Sequence, residues 1–310
     1  MLTYIARRLL WLVVVLFGVS LVTFIVIYAV PADPARTFAP NASVQAVANI
    51  RHQWGLDQPL WVQYLRYLGR LLHGDLGWSY HISQPVLGAI LQRAPATAEL
   101  AVAGLLMELL IGVPVGIASA VRQYGAIDRT GMILSLIGVS APTFGVGLLL
   151  LYYLGFVLNW FPLSGFGPGF PWNVQYLVLP AVAVGLSGGA YYARLLRSSL
   201  LDVLKTDYVR TARAKGLSGP KVLLRHALPN AITPVVTQIG LDFGYFLGGI
   251  VVVEQVFAWP GIGFQAWQAI DNLDVPMIMG TVLFAAFCIT LMNIVIDVLY
   301  AVLDPRVHVA

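Results

Sequence analysis

Charge is scarce in this chain. Of its 310 residues 14 are acidic and 18 basic, 10% in all, where a soluble domain carries about a quarter. So few charges cannot coat a water-soluble particle of this size, which excludes a soluble enzyme. Cysteine is scarcer still: the single Cys288 excludes an intrachain disulfide and any multi-cysteine zinc or iron–sulfur site. Also missing are a phosphate-cradling G-x-x-x-x-G-K-[ST] loop, an H-E-x-x-H zinc motif and a G-x-S-x-G elbow in a soluble context. No catalytic residue and no metal site is therefore expected, and ATP hydrolysis by this chain alone is not. What abounds is apolar: 59% of the residues are hydrophobic and the mean hydropathy is +0.81. A net charge of +4 would suggest nucleic acid only if the basic residues formed a face on a soluble domain, so their placement decides.

Six long stretches have few charges, 9–30, 100–121, 131–158, 174–193, 231–253 and 277–303. A crossing helix needs about 20 predominantly apolar residues, so an all-α polytopic membrane protein with six transmembrane helices is expected. The first stretch follows Arg7-Arg8. Its apolar run from Leu9 to Val30 exceeds the roughly 7–15 residues of a signal-peptide core, and it reads as an uncleaved helix. Leu186-Ser-Gly-Gly-Ala190 has the look of an ATPase signature but sits inside a charge-free span, where small residues instead allow close helix approach.

Lysine and arginine set the orientation. Loops 122–130 and 194–230 carry two and eight of them, whereas 159–173 and 254–276 carry none. With Arg7, Arg8 and Arg306, 13 of the 18 basic residues fall on one side, which makes both termini cytoplasmic. The long segment 31–99 is the sizeable outer piece. It opens with a turn at Pro31-Ala-Asp-Pro34 and continues in short helices, among them one with Trp61, Tyr64, Leu65 and Leu68 on an apolar stripe. His52, His73 and His81 are spaced too irregularly there to suggest a metal cage, and Asn41-Ala-Ser43 is a formal glycosylation triplet. The organisation expected is 1–99, a first helix plus outer segment, and 100–310, a five-helix core with the loop 194–230.

That loop is the most informative stretch. Leucines at 195, 196, 200, 201 and 204 form a helical stripe, a helix-compatible stretch runs to Lys215, Gly216 is placed to end it, and Gly219-Pro220 reads as a turn. Ala212, Gly216, Leu228 and Pro229 have the spacing of the E-A-A-x3-G-x9-I-x-L-P loop of permease subunits of bacterial ABC importers, with Arg210 and Thr211 in its first two positions and His226 for the isoleucine. Asp207-Tyr-Val-Arg-Thr-Ala-Arg-Ala-Lys-Gly216 resembles the E-Y-x-R-T-A-R-A-K-G of dipeptide, oligopeptide, glutathione and nickel permeases. So do Tyr4-Ile-Ala-Arg-Arg8, Gly55-Leu-Asp-Gln-Pro59, His73-Gly-Asp-Leu-Gly77, Phe257-Ala-Trp-Pro-Gly-Ile-Gly263 and Leu303-Asp-Pro-Arg306.

The resemblance implies a type I ABC importer permease fold in a bacterial inner membrane and a path for di- or oligopeptides, with nickel or glutathione as alternative cargo. It implies pairing with a second homologous permease, delivery of substrate by an outer substrate-binding protein, and two cytoplasmic ATPase subunits that carry the ATP and Mg, this chain itself binding no cofactor. Asp207, Tyr208, Ala212, Arg213, Lys215, Gly216, Leu228 and Pro229 are the expected ATPase-coupling residues. An ion-coupled secondary transporter is the reading from a different class. Glu108 and Asp242 lie near the centres of their spans, where a carboxylate costs roughly 2.5–3.5 kcal/mol. Either they line the translocation path or they are hydrogen-bonded inside the bundle. Asp297 is expected to be structural.

Overall fold

A computed structural model describes residues 2–29 and 33–303. Residues 31 and 32 of the turn expected at 31–34 lie outside the described residues, as do 304–306 of the terminal motif and the side chain of Tyr4. In chain order the helices are α1 (Leu2–Ala29), α2 (Pro34–Phe38), α3 (Val44–Trp54), α4 (Leu60–Leu72), α5 (Val86–Val121), α6 (Ala126–Ser140), α7 (Thr143–Leu150), α8 (Val174–Leu204), α9 (Asp207–Ala214), α10 (Gly219–Val222), α11 (Leu228–Ala231), α12 (Thr233–Leu247), α13 (Val251–Val256), α14 (Ile262–Asp271) and α15 (Val275–Leu303). Short π-helical turns follow α7 and α10, and a two-residue antiparallel ladder joins β1 (Trp78–Ser79) to β2 (Gln84–Pro85). The all-α expectation holds.

Of the six expected spans, length and apolar composition support four or five among the described residues. Among the described residues, four helices are long and apolar enough to cross a bilayer: Ala6–Ile27 within α1, all of α5, all of α8, and Val275–Asp297 within α15. The stretch 131–158 is two helices bent by 100° between Ser140 and Thr143, a fifth crossing if the pair counts as one. Pro142 has no amide hydrogen to continue the ladder and holds Ala141 extended at ψ 128°. The stretch 231–253 yields a 15-residue α12, about 22 Å long against a hydrocarbon core of about 30 Å. It stops at Gly248-Gly249, the latter at φ +108°. Gly219-Pro220, expected as a turn, instead opens α10, where proline's fixed φ suits a first helical position.

The chain divides into two compact units. The first comprises residues up to 98, 244–255 and from 260 onward. In it α1 lies along α15, and Arg8 pairs with Asp297 at 2.6 Å. Helix α4 buries Tyr64 and Tyr67 against Phe24, Met279 and Leu283. The Tyr64 hydroxyl lies 2.9 Å from that of Ser20, which satisfies both. Only half of the expected stripe turns inward: Trp61 and Leu65 are 68% and 58% exposed, because the buried face runs through Tyr64, Tyr67, Leu68 and Leu71. The outer helices are locally specified. Asp33 and Ser43 accept amide hydrogens at the starts of α2 and α3, and Gly55 ends α3 at φ +69°. Arg51 bonds Asp33 and holds its carboxyl below the usual carboxylate range.

The second unit comprises residues 99–243 and 256–259. Helix α8 is its spine, with α6 and α7 packed on it. Glycines of α5 and α8 face each other there: a Cβ at Gly112 would lie 2.6 Å from the Gly189 carbonyl oxygen, and one at Gly185 would lie 2.5 Å from Met107 Cβ. The close approach expected for Ser187-Gly-Gly-Ala190 is present at Gly188 and Gly189. We expect Gly112→Ala to lose about 1–3 kcal/mol through overpacking, read as a lowered melting temperature in detergent. An unchanged melt would show that the two backbones can separate freely.

Candidate functional site

Helix α9 has two unlike faces. Val209 is fully buried and Ala212 is 6% exposed, both within a cluster that includes Leu196, Leu200, Val222, Ala227 and Ala231. Asp207, Tyr208, Arg210, Thr211, Arg213 and Ala214 are exposed. Asp207 stands in the first turn and Arg213 in the last, each at the helix end whose dipole favours its charge. Gly216 follows at φ +77°, a conformation that strains any residue with a Cβ, and its amide bonds the Arg213 carbonyl at 2.9 Å.

The expected coupling residues are brought together in part. Asp207, Tyr208, Arg213, Lys215, Gly216 and Pro229 are exposed, whereas Ala212 is buried and Leu228 is partly buried against the same cluster. Ala212 and Leu228 thus hold the helix down instead of meeting solvent. Asn230, just after Pro229, donates to the Tyr208 hydroxyl at 3.0 Å and to the His226 carbonyl at 3.2 Å. Arg210 and Thr211 belong to the exposed face by helical position, which their place in the motif did not reveal.

Asp128 on α6 takes Arg197 of α8 in a bidentate pair, Nε to Oδ1 at 2.6 Å and Nη2 to Oδ2 at 2.7 Å. The Asp128 carboxylate also accepts the Tyr124 amide at 2.8 Å. Sequence reading counted Arg197 only as one topology charge.

Within the spans, Asp242 is fully engaged: Oδ2 accepts from the Tyr192 hydroxyl at 2.7 Å and Oδ1 from Gln238 Nε2 at 2.8 Å. Glu108 is 3% exposed, and its Oε2 has no hydrogen-bond partner among the described residues. Gly188 makes room for it, since a Cβ there would lie 1.7 Å from Glu108 Oε1. In the first unit Glu254 is fully buried. It accepts from Thr97 Oγ1 at 2.9 Å and the Phe264 amide at 2.8 Å, and Thr97 Oγ1 accepts the Ile262 amide at 2.8 Å. The signal available was a carboxylate flanked by Val251-Val-Val253 and Phe257, too apolar a setting for a solvated loop. Among the described residues no group of three or more His, Cys, Asp or Glu is arranged to hold a metal.

Comparison with known proteins shows what the whole chain is similar to. The model of the binding-protein-dependent transport system inner membrane component matches residues 112–309, and that of its N-terminal part matches 1–101. The glutathione transport system permease protein GsiC of Salmonella paratyphi A (strain ATCC 9150 / SARB42) is 42% identical over 309 residues, 99% of each chain. The probable D,D-dipeptide transport system permease protein DdpB of Escherichia coli (strain K12) is also 42% identical, over 98% of this chain and 97% of that one. Among solved structures, a chain of the MetNI methionine ABC transporter in an inward-facing conformation superposes with TM-score 0.59 at 18% identity, covering 72% of this chain and 99% of that one. That likeness is one of fold.

Proposed function

This chain belongs to the family of binding-protein-dependent transport system inner membrane components, and we propose that it forms part of the translocation path of an ATP-driven importer for short peptides, glutathione included. As a permease subunit of an ABC importer it is not an enzyme. The substrate class rests on relatives named for glutathione and D,D-dipeptides, both short chains of amide-linked units with free carboxylates. In this reading a second homologous permease completes the path, and an outer binding protein delivers cargo. Two ATPase subunits on the side of the basic loops carry the ATP and Mg, and both termini of this chain lie on that side. Glu108 and Asp242 are assigned to the path wall, Glu108 as the carboxylate with an uncommitted oxygen.

The observation that carries the reading is the two-faced α9. Val209 and Ala212 anchor it in the core of the second unit while Asp207, Tyr208, Arg210 and Thr211 stand exposed, on the face that would enter a partner's groove. A short helix rigidly seated on α8 passes a partner's displacement to that span as a body, which is what alternating access driven by nucleotide requires. Exposed ion pairs contribute little to stability, and the Asp207–Arg210 pair is exposed on both sides. Tyr208→Ala with Asp207→Asn is therefore expected to leave the melting temperature unchanged and lower ATPase-coupled import about tenfold, within the usual range of coupling energies. Full import by that variant, or no co-purification of the wild-type chain with an ATPase, would overturn the assignment.

A further inference from the structure

The outer segment of the first unit borders a half-open cavity of about 730 Å³, within the range of small-ligand sites. Arg66 and Arg70, one turn apart on α4, both line it. Among the described residues neither guanidinium has a hydrogen-bond or ion-pair partner. Both side chains are exposed, and like charges at this helical spacing repel modestly, a repulsion that a bound anion would relieve.

The backbone keeps their heads clear. A Cβ at Gly55 would lie 3.3 Å from Arg66 Nη1, and one at Gly77 would lie 3.8 Å from Arg70 Nη1. The lining carboxylates are turned to the fold instead of the arginines: Asp274 accepts from Ser79 Oγ and the Met277 amide, and Asp75 from the Gly77 amide. Trp54, stacked on Tyr80 at 4.1 Å between centroids and met by Phe38 at 5.2 Å, supplies a flat apolar wall. Tyr67 also lines the cavity. It is 6% exposed, and among the described residues its hydroxyl has no partner, although buried tyrosine hydroxyls are ordinarily satisfied.

Two unneutralised guanidiniums beside an aromatic wall and an orphan hydroxyl suit an organic anion with an apolar body. We propose that this cavity is a binding site for a short peptide, with its terminal carboxylate on Arg66 and Arg70 and an apolar side chain against Trp54 and Tyr80. Guanidinium matches carboxylate in a forked, charge-assisted geometry that a lone ammonium cannot reproduce. The ligand's identity rests on the peptide reading of the transporter; the anion selectivity rests on the cavity alone.

The test uses the permease complex without its binding protein, in phosphatidylcholine nanodiscs, titrated with Ala-Phe by calorimetry. Saturable binding is expected. Amidating the peptide's carboxylate, or making R66Q with R70Q, should each weaken it about tenfold or more, as expected for lost charge-assisted bonds. The amidated ligand reports on the unaltered protein, so the result does not depend on the variant's folding. Equal affinity for acid and amide, or no binding, overturns the proposal, as does loss of Ala-Phe binding when phosphatidylglycerol is included, which would assign the site to a lipid phosphate. Import of Ala-Phe by the full system is measured in parallel. Import without cavity binding rejects this site alone, whereas absence of both rejects the peptide reading with it.

Discussion

Asp128→Ala is expected to lower the melting temperature of the detergent-solubilised permease by about 10 °C. The pair it breaks is nearly dry, with side-chain exposure of 4% for Asp128 and 22% for Arg197. Both carboxylate oxygens are occupied, one of them twice, by Arg197 and the Tyr124 amide. Removing one partner strands a partly buried guanidinium, a loss of about 3 kcal/mol, the low end for a buried pair, and each kcal/mol moves the transition of a chain of this class by roughly 2–4 °C. The double variant Asp128→Leu with Arg197→Met is expected to recover most of that loss, because well-packed apolar residues of similar size often match a buried ion pair. Differential scanning fluorimetry decides: a single variant melting within about 2 °C of wild type would show that solvent reaches the pair and screens it.

Glu254→Ala should be comparably severe for a different reason. Glu254 is a fully buried acceptor that gathers the Thr97 hydroxyl and the Phe264 amide, and through Thr97 it fixes the Ile262 amide as well. Gly261 and Gly263 crowd the carboxylate so closely that a Cβ on either would lie 2.3 Å and 3.1 Å from Glu254 Oε2. Alanine leaves a cavity and buried donors unsatisfied, at about 1–3 kcal/mol for each donor, so about 3–5 kcal/mol in sum is expected. Glu254→Gln should fall between alanine and wild type. It keeps the shape but turns an amide NH2 toward a group that already donates. Thermal melts of the three proteins provide the comparison. A glutamine variant no better than alanine would mean that the negative charge, and not the hydrogen-bond geometry, holds the turn around Gly261.

Much of this molecule was legible in one dimension where the physics is local. Apolar runs announced the helices because a bilayer admits backbone only when its hydrogen bonds close within the segment. Gly216 announced the end of α9 because a positive φ strains other residues. Helix boundaries were less legible. Helix α5 begins at Val86, well before the apolar stretch that starts at residue 100, since nothing stops a helix from continuing beyond the membrane. The bend at Pro142 was written in the sequence, yet whether a proline breaks a span or only kinks it depends on what receives the freed backbone groups. Half of the stripe of Trp61, Tyr64, Leu65 and Leu68 was misplaced, because the packed face turns through Tyr64, Tyr67, Leu68 and Leu71 and leaves Trp61 and Leu65 exposed.

The one-dimensional record by itself determined the class of this protein, its helical build and the loop here proposed to meet a partner. Each follows from composition and spacing, which act over a few residues. Only the tertiary structure decided which side of α9 is free, that Ala212 is an anchor, that Arg197 has a buried partner at Asp128, and that Glu254 is the centre of a hydrogen-bond network. It also brought Arg66 and Arg70 to an aromatic-walled cavity. These are relations between residues far apart in the chain, and burial and pairing at that range arise from packing alone.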